Sequence, residues 1–174
     1  ANRLITTIGD FLRFSRPEIA NCTWFSLHGC INEVLQVCRA DPTWPETAEV
    51  RCVFDRNLDL WADEKEMFTV FTHLIMNGLA FCQPGEERIL ITAAERTAES
   101  GEETLEISIA DNGPGIAEEK RDQVFEPFYT TRPEGTGLGL AIVRQTITEH
   151  RGTIRISAGR EGGAVFTIGL PLPS

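Results

Sequence analysis

Three segments of this 174-residue chain combine residue types and spacings that could do chemistry together. The first is Asp111-Asn112-Gly113-Pro114-Gly115, directly after an alternating strand pattern at residues 105–110. A carboxylate at a strand end can accept a hydrogen bond from an exocyclic amine, and the glycines let the backbone turn sharply and approach a flat ring. The same residue types also build ordinary turns, so this segment alone is ambiguous. The second is Gly135-Thr136-Gly137-Leu138-Gly139-Leu140-Ala141, which runs into an amphipathic helix. Backbone N–H groups at a glycine-rich helix start form a phosphate cradle, aided by the helix dipole. Its spacing is neither that of a P-loop nor that of the dinucleotide fingerprint. The third is the pair His73 and Asn77, four residues apart and so on one helical face. An Asn amid apolar neighbours needs a partner, either a nearby backbone group or a ligand; its amide oxygen suits a hard cation such as Mg²⁺. Between the two glycine segments, residues 116–134 form a long, charged, weakly periodic connection of the kind that makes a lid. Phe125 and Phe128 would anchor the base of that lid, and Arg132 could reach a phosphate as a bidentate donor.

The elements that must position these groups are legible from periodicity. Residues 27–38 and 64–81 carry helical apolar stripes, the second opened by Asp63 as N-cap and closed by Pro84-Gly85. Residues 138–150 give a third helix, ended by Gly152. Alternation marks strands around Val50–Phe54, Leu58–Trp61, 88–94, 105–110, 153–157 and 164–170, with a short extended piece at 23–26. The order is helix, two strands, helix, two strands, helix, two strands. It predicts an α/β two-layer sandwich, a mixed sheet with three helices on one face. Ahead of it, Leu4, Ile5, Ile8, Phe11, Leu12 and Phe14 make a short N-terminal helix that stops before Pro17. Residues 1–17 therefore read as the end of a preceding element, and 18–174 as one domain.

Bulk properties narrow the partners. Acidic residues outnumber basic ones 26 to 16, for a formal charge of -10. That charge disfavours nucleic acid and anionic membrane surfaces. No run approaches the roughly 20 apolar residues of a membrane span. Five cysteines without a CxxC pair or metal-ligand spacing predict free thiols, Cys30 and Cys38 in a buried stripe, and a reducing cytoplasm. The opening Ala-Asn-Arg, with neither a starting Met nor a signal-peptide core, predicts a piece of a longer chain.

Taken in order, Asn77, DNGPG, FEPFYTT and GTGLGLA resemble the N, G1, F and G2 boxes of the catalytic domains of bacterial sensor histidine kinases. Those domains share a superfamily with the gyrase, Hsp90 and MutL ATPases. The wording FEPFYTTRPEGTGLGLAIV is most similar to the nitrogen- and flagellar-regulation kinases. The resemblance implies the Bergerat ATP-binding fold, with ATP and Mg²⁺ as cofactors. It implies that Asp111 binds the adenine amine in a pocket shaped by Gly113 and Gly115, and that Asn77 ligates Mg²⁺. Gly135, Gly137 and Gly139 would form lid hinge and phosphate contacts, with Leu138 and Leu140 packed below. Asn112, Ile116, Phe125, Thr131 and Thr136 come with the boxes as further nucleotide-binding positions. Arg132 would neutralise phosphate charge, and His73 is a candidate general base.

Residues 1–17 would then be the tail of a dimerisation helix. The implied reaction is transfer of the ATP γ-phosphoryl to a histidine of that dimerisation domain, in a homodimeric parent that signals to a response regulator. The domain would be cytoplasmic, without direct membrane contact, whatever anchors the parent. Three departures accompany the match. His73 stands where most such kinases have an Asn, although the chemotaxis kinases place a His there; Gly78 replaces a common Ala at a cost of roughly 1 kcal/mol of helix propensity; and Ala80 stands where many carry a phosphate-binding Lys. Two other readings remain open: an ATP-hydrolysing clamp or serine kinase of the same fold, and a pseudokinase that binds a nucleotide or partner only.

Overall fold

The computed structural model describes residues 21–130, 137–160 and 162–173. The N-terminal helix expected at residues 3–14 lies outside them, as do Thr131, Arg132, Gly135 and Thr136. The described chain runs β1 (Thr23–Ser26), α1 (Leu27–Arg39), β2 (Glu49–Val53), β3 (Asp59–Ala62), α2 (Glu64–Phe81), β4 (Arg88–Thr97), β5 (Glu103–Asp111), α3 (Gly139–Glu149), β6 (Thr153–Gly159) and β7 (Gly162–Pro171). Two short 3₁₀ turns, Glu118–Lys120 and Gln123–Phe125, precede α3.

Each helix follows from its own residues. Ser26 caps α1 by accepting from the Gly29 N–H at 3.0 Å, and Asp63 caps α2 by accepting from Glu66 N–H at 3.2 Å. The buried residues of α1 are Leu27, Cys30, Ile31, Val34, Leu35 and Cys38, and those of α2 include Met67, Phe71, Leu74, Ile75 and Gly78. Both sets recur at three and four residues, so each helix turns one stripe inward. They meet Ile89, Ile91, Leu105, Ile107, Phe166, Ile168 and Leu170 from the sheet in one core. Together the layers make the expected α/β sandwich.

The main sheet has five strands in the order β2-β4-β5-β7-β6, parallel between β2 and β4 and antiparallel elsewhere. Two details differ from the sequence expectation. The β4–β5 hairpin is longer than expected, pairing Ile89 with Asp111 at one end and Thr97 with Glu103 at the other. Asp111 thereby sits inside the ladder, held by strand pairing rather than by a turn. The second difference concerns β3, which joins β1 in a separate two-stranded sheet, with Trp24 opposite Trp61.

One junction ties the layers together. Asp63 accepts from the Asn21 N–H at 2.9 Å, and its own N–H donates to His150 Nε2 at 3.0 Å. His150 Nδ1 lies 2.7 Å from the Thr146 carbonyl oxygen, so Nδ1 carries the proton and donates to it.

Candidate functional site

Asp111 is the most constrained polar group of the site. Its Oδ1 accepts from the Gly113 N–H at 2.9 Å and from the Ala164 N–H at 3.2 Å. Burial raises its pKa, and those two backbone donors oppose the rise. The surrounding glycines are close-approach positions. A Cβ on Gly113 would lie 2.8 Å from the Phe81 carbonyl oxygen, and one on Gly163 only 1.8 Å from the Asp111 carbonyl oxygen. Gly163 N–H also donates to the Gly113 carbonyl at 3.0 Å, so the start of β7 buttresses the whole segment.

Asp111 opens onto a cavity of about 860 Å³. From α2 it is lined by Thr72, His73, Met76, Asn77 and Phe81; after β5, by Pro114, Gly115, Ile116, Ala117 and Lys120. Val124, Tyr129, Thr130, Gly137, Gly139, Leu140, Ala164 and Phe166 continue the wall, and Asp41, Thr43 and Pro45 close the far side. Ligand pockets of small molecules have this size.

The three chemistry-bearing segments therefore meet. His73 Nδ1 would be 3.1 Å from a Cβ on Gly139, so the ring packs directly on the start of α3. Among the described residues no side chain caps that start. A helix start without a side-chain cap leaves backbone N–H groups open to an anion. The Asn77 amide makes no hydrogen bond to any described residue, although it is half-buried in the cavity wall. The backbone partner that could have satisfied it is thus not there. An amide left over in this way fits a ligand or a cation. Among the described residues no group of three His, Cys, Asp or Glu side chains could hold a metal by itself. Any Mg²⁺ here would take most of its oxygens from phosphates and water, as that ion ordinarily does.

The base of the lid is built as expected in part. Phe128 N–H donates to the Gly137 carbonyl at 2.8 Å, which closes the chain on itself across residues 129–136. Phe128 has φ 67° and Gly137 has φ 73°. A Cβ on Gly137 would lie 2.3 Å from the Phe128 carbonyl carbon, so only glycine fits. Phe128 itself is 61% exposed.

Four of the nominated nucleotide-binding residues belong to the frame instead of the cavity surface. Asn112 is turned toward β4: its Oδ1 accepts from the Arg88 N–H at 2.9 Å, and its Nδ2 donates to the Glu86 carbonyl at 2.8 Å. Gly113 spends its N–H on Asp111. Phe125 is buried edge-on against Phe166, ring centroids 6.3 Å apart, with the Arg144 guanidinium 5.3 Å from its own centroid. Leu138 is buried beneath α3. Sequence reasoning passed over Phe81, Lys120, Tyr129 and the Gly162-Gly163 pair. Phe81 was findable as the next i+4 step after His73 and Asn77.

No cysteine lines the cavity. All five are free. Burial pushes the Cys30 thiol up to about 12, far from the thiolate a nucleophile needs.

Comparison with known proteins agrees with this geometry. The chain is 32% identical over 176 residues to the sensor histidine kinase ZraS of Escherichia coli K12, covering 99% of this chain and 36% of that protein. It thus spans about a third of the length of that relative. It superposes on full-length ShkA in complex with AMPPNP with TM-score 0.79 and 26% identity, covering 97% of this chain and 35% of that one. The histidine kinase ThkA, solved in complex with the response regulator TrrA, gives TM-score 0.77 and 29% identity, covering 98% and 47%. Residues 62–174 match the family model for histidine kinase-, DNA gyrase B- and HSP90-like ATPases, and the chain belongs to that family.

Proposed function

We propose that the chain is the nucleotide-binding catalytic domain of a sensor histidine kinase, which binds Mg-ATP and passes the γ-phosphoryl to a histidine on a dimerisation domain. The observation that carries this reading is the convergence of Asp111, Asn77 and the uncapped start of α3 on one cavity. Asp111 would accept from the adenine amine, Asn77 would hold Mg²⁺, and the α3 amides with Gly137 and Gly139 would receive the phosphates. Phosphoryl transfer asks little covalent chemistry of the protein, so positioning and charge neutralisation are what these residues must supply. Mg²⁺, when bound, would neutralise charge on the phosphates. Arg132 and His73 are proposed in supporting roles, as phosphate cation and candidate base, with Thr131, Gly135 and Thr136 as lid contacts.

The acceptor is proposed to lie outside the described domain. His150 uses both ring nitrogens internally, and His73 is inside the cavity wall. No helix among the described residues is long and apolar enough to cross a membrane. A cytoplasmic placement, a homodimeric parent and a response-regulator partner fit that reading, and ThkA is a relative solved with such a regulator. The test is incubation with radiolabelled ATP, Mg²⁺ and a separately supplied dimerisation domain. Acid-labile, base-stable label on that domain is the expected result. Nucleotide binding with no transfer to any supplied histidine domain would favour the pseudokinase reading. Steady ATP hydrolysis without an acceptor would favour the clamp, for which His73, one turn before Asn77, would activate water.

A further inference from the structure

We propose that Lys120 is a phosphate-binding residue of this cavity, and that it contributes to the preference for nucleotides over nucleosides. The inference builds on the nucleotide-binding reading above and assigns a residue that reading does not use. Lys120 is the one Lys or Arg among the described residues lining the cavity, whose carboxylates there are Asp41 and Asp111. A triphosphate brings several negative charges into that acidic surrounding, and a cation must meet them. Among the described residues the Lys120 ammonium has no ion-pair partner, although Glu118 and Glu119 share its turn.

The turn that presents Lys120 is tied down at several points. Its N–H donates to the Ala117 carbonyl at 2.9 Å, and Arg121 Nε donates to the Ile116 carbonyl at 3.1 Å. Arg121 is thereby committed to the turn, leaving its neighbour Lys120 to the cavity. Five residues beyond Lys120, Phe125 fixes the segment to the core through Phe166 and Arg144. Lys120 therefore stands on a fixed stretch of the cavity wall that also carries Ile116 and Val124.

The test is calorimetric titration of the wild type, Lys120→Met and Lys120→Arg with a non-hydrolysable ATP analogue and with adenosine, at low and high salt. The exposed position makes both variants expected to fold like the wild type. Lys120→Met is expected to weaken the ATP analogue about tenfold, the scale of one charge-assisted phosphate contact. Adenosine affinity should stay unchanged, the salt dependence of analogue binding should fall, and Lys120→Arg should restore most of the loss. Unchanged analogue affinity in Lys120→Met would overturn the proposal, as would an equal loss for adenosine. A wild type that binds neither ligand would overturn the nucleotide reading itself, and this one with it.

Discussion

Replacing Asp111 by Asn separates recognition from stability, because the two carboxylate oxygens have different duties. Oδ1 is occupied by the Gly113 and Ala164 N–H donors. Oδ2 lies 3.7 Å from the Cβ position of Gly78, on the α2 side, and is the oxygen left for a ligand amine. In Asp111→Asn the amide oxygen must keep the Oδ1 position, since an NH₂ there would face two donors. The NH₂ then occupies the ligand side and meets the adenine amine donor to donor. Losing a hydrogen bond to a charged acceptor costs about 1.5–3 kcal/mol, and an unpaired donor adds about 1–3 kcal/mol. Together, about 2.5–6 kcal/mol corresponds to roughly two to four orders of magnitude in Kd.

Folding should respond in the opposite sense. Burial raises the Asp111 pKa, so the native state holds that proton more tightly than the unfolded chain does. Stability from this group is therefore present below the unfolded pKa and lost as pH rises through the folded one. At pH 7 the ionised side chain is a cost that Asn removes. Apo Asp111→Asn should melt at or above the wild-type temperature at pH 7, with the gap closing toward about pH 4. Calorimetry with and without nucleotide reads both effects. Wild-type affinity in the folded variant would refute the adenine assignment, and a lower apo melting temperature at pH 7 would refute the burial argument.

Further outcomes follow from the same geometry. Asn77→Ala should abolish the tightening of ATP-analogue binding by Mg²⁺ while leaving Mg²⁺-free binding within about twofold, since a metal contact is one tenfold-scale interaction; titration with and without Mg²⁺ checks it. Gly137→Ala forces a side chain into φ 73° against Phe128 and should cost about 1–3 kcal/mol in urea unfolding. An unchanged unfolding midpoint would mean that the Phe128–Gly137 closure is not kept in solution. Phe125→Ala removes a buried ring from under Phe166 and should cost about 3–5 kcal/mol, with nucleotide affinity following only as the wall loosens.

How much of this was legible depended on whether a feature is local. The α2 stripe from Met67 to Leu79, with Asp63 before it, declares a helix and its buried face in one window. Asp111 and the Gly137–Gly139 start were legible because their chemistry sits in consecutive residues. Pairing was not, since the partner of a short strand is chosen by tertiary burial: nothing near Leu60 says that β3 will leave β2 and join β1. The direction of Asn112 was equally hidden. In a turn it could face either the cavity or the β4 start, and the Glu86 and Arg88 backbone groups decide it. Gly162-Gly163 lies some fifty residues from Asp111 in sequence, so its role as the buttress of that segment depends on the β5–β7 register. Lys120 sits on an irregular turn that has no period from which an inward face could be read.

The bare start of α3 links occupancy to local order. The first helical bond described there is Ile142 N–H to the Leu138 carbonyl, 2.9 Å. Amides in a first turn without a side-chain cap are held less tightly than those deeper in the helix, so the opening turn can fray without disturbing Val143 or Ile147 in the core. An anion that binds those amides selects the wound form and slows their hydrogen exchange. The first turn of α3 is thus a built-in reporter: its exchange rates register whether the site is filled, while the exchange of α2 and the central strands registers only whether the domain is folded.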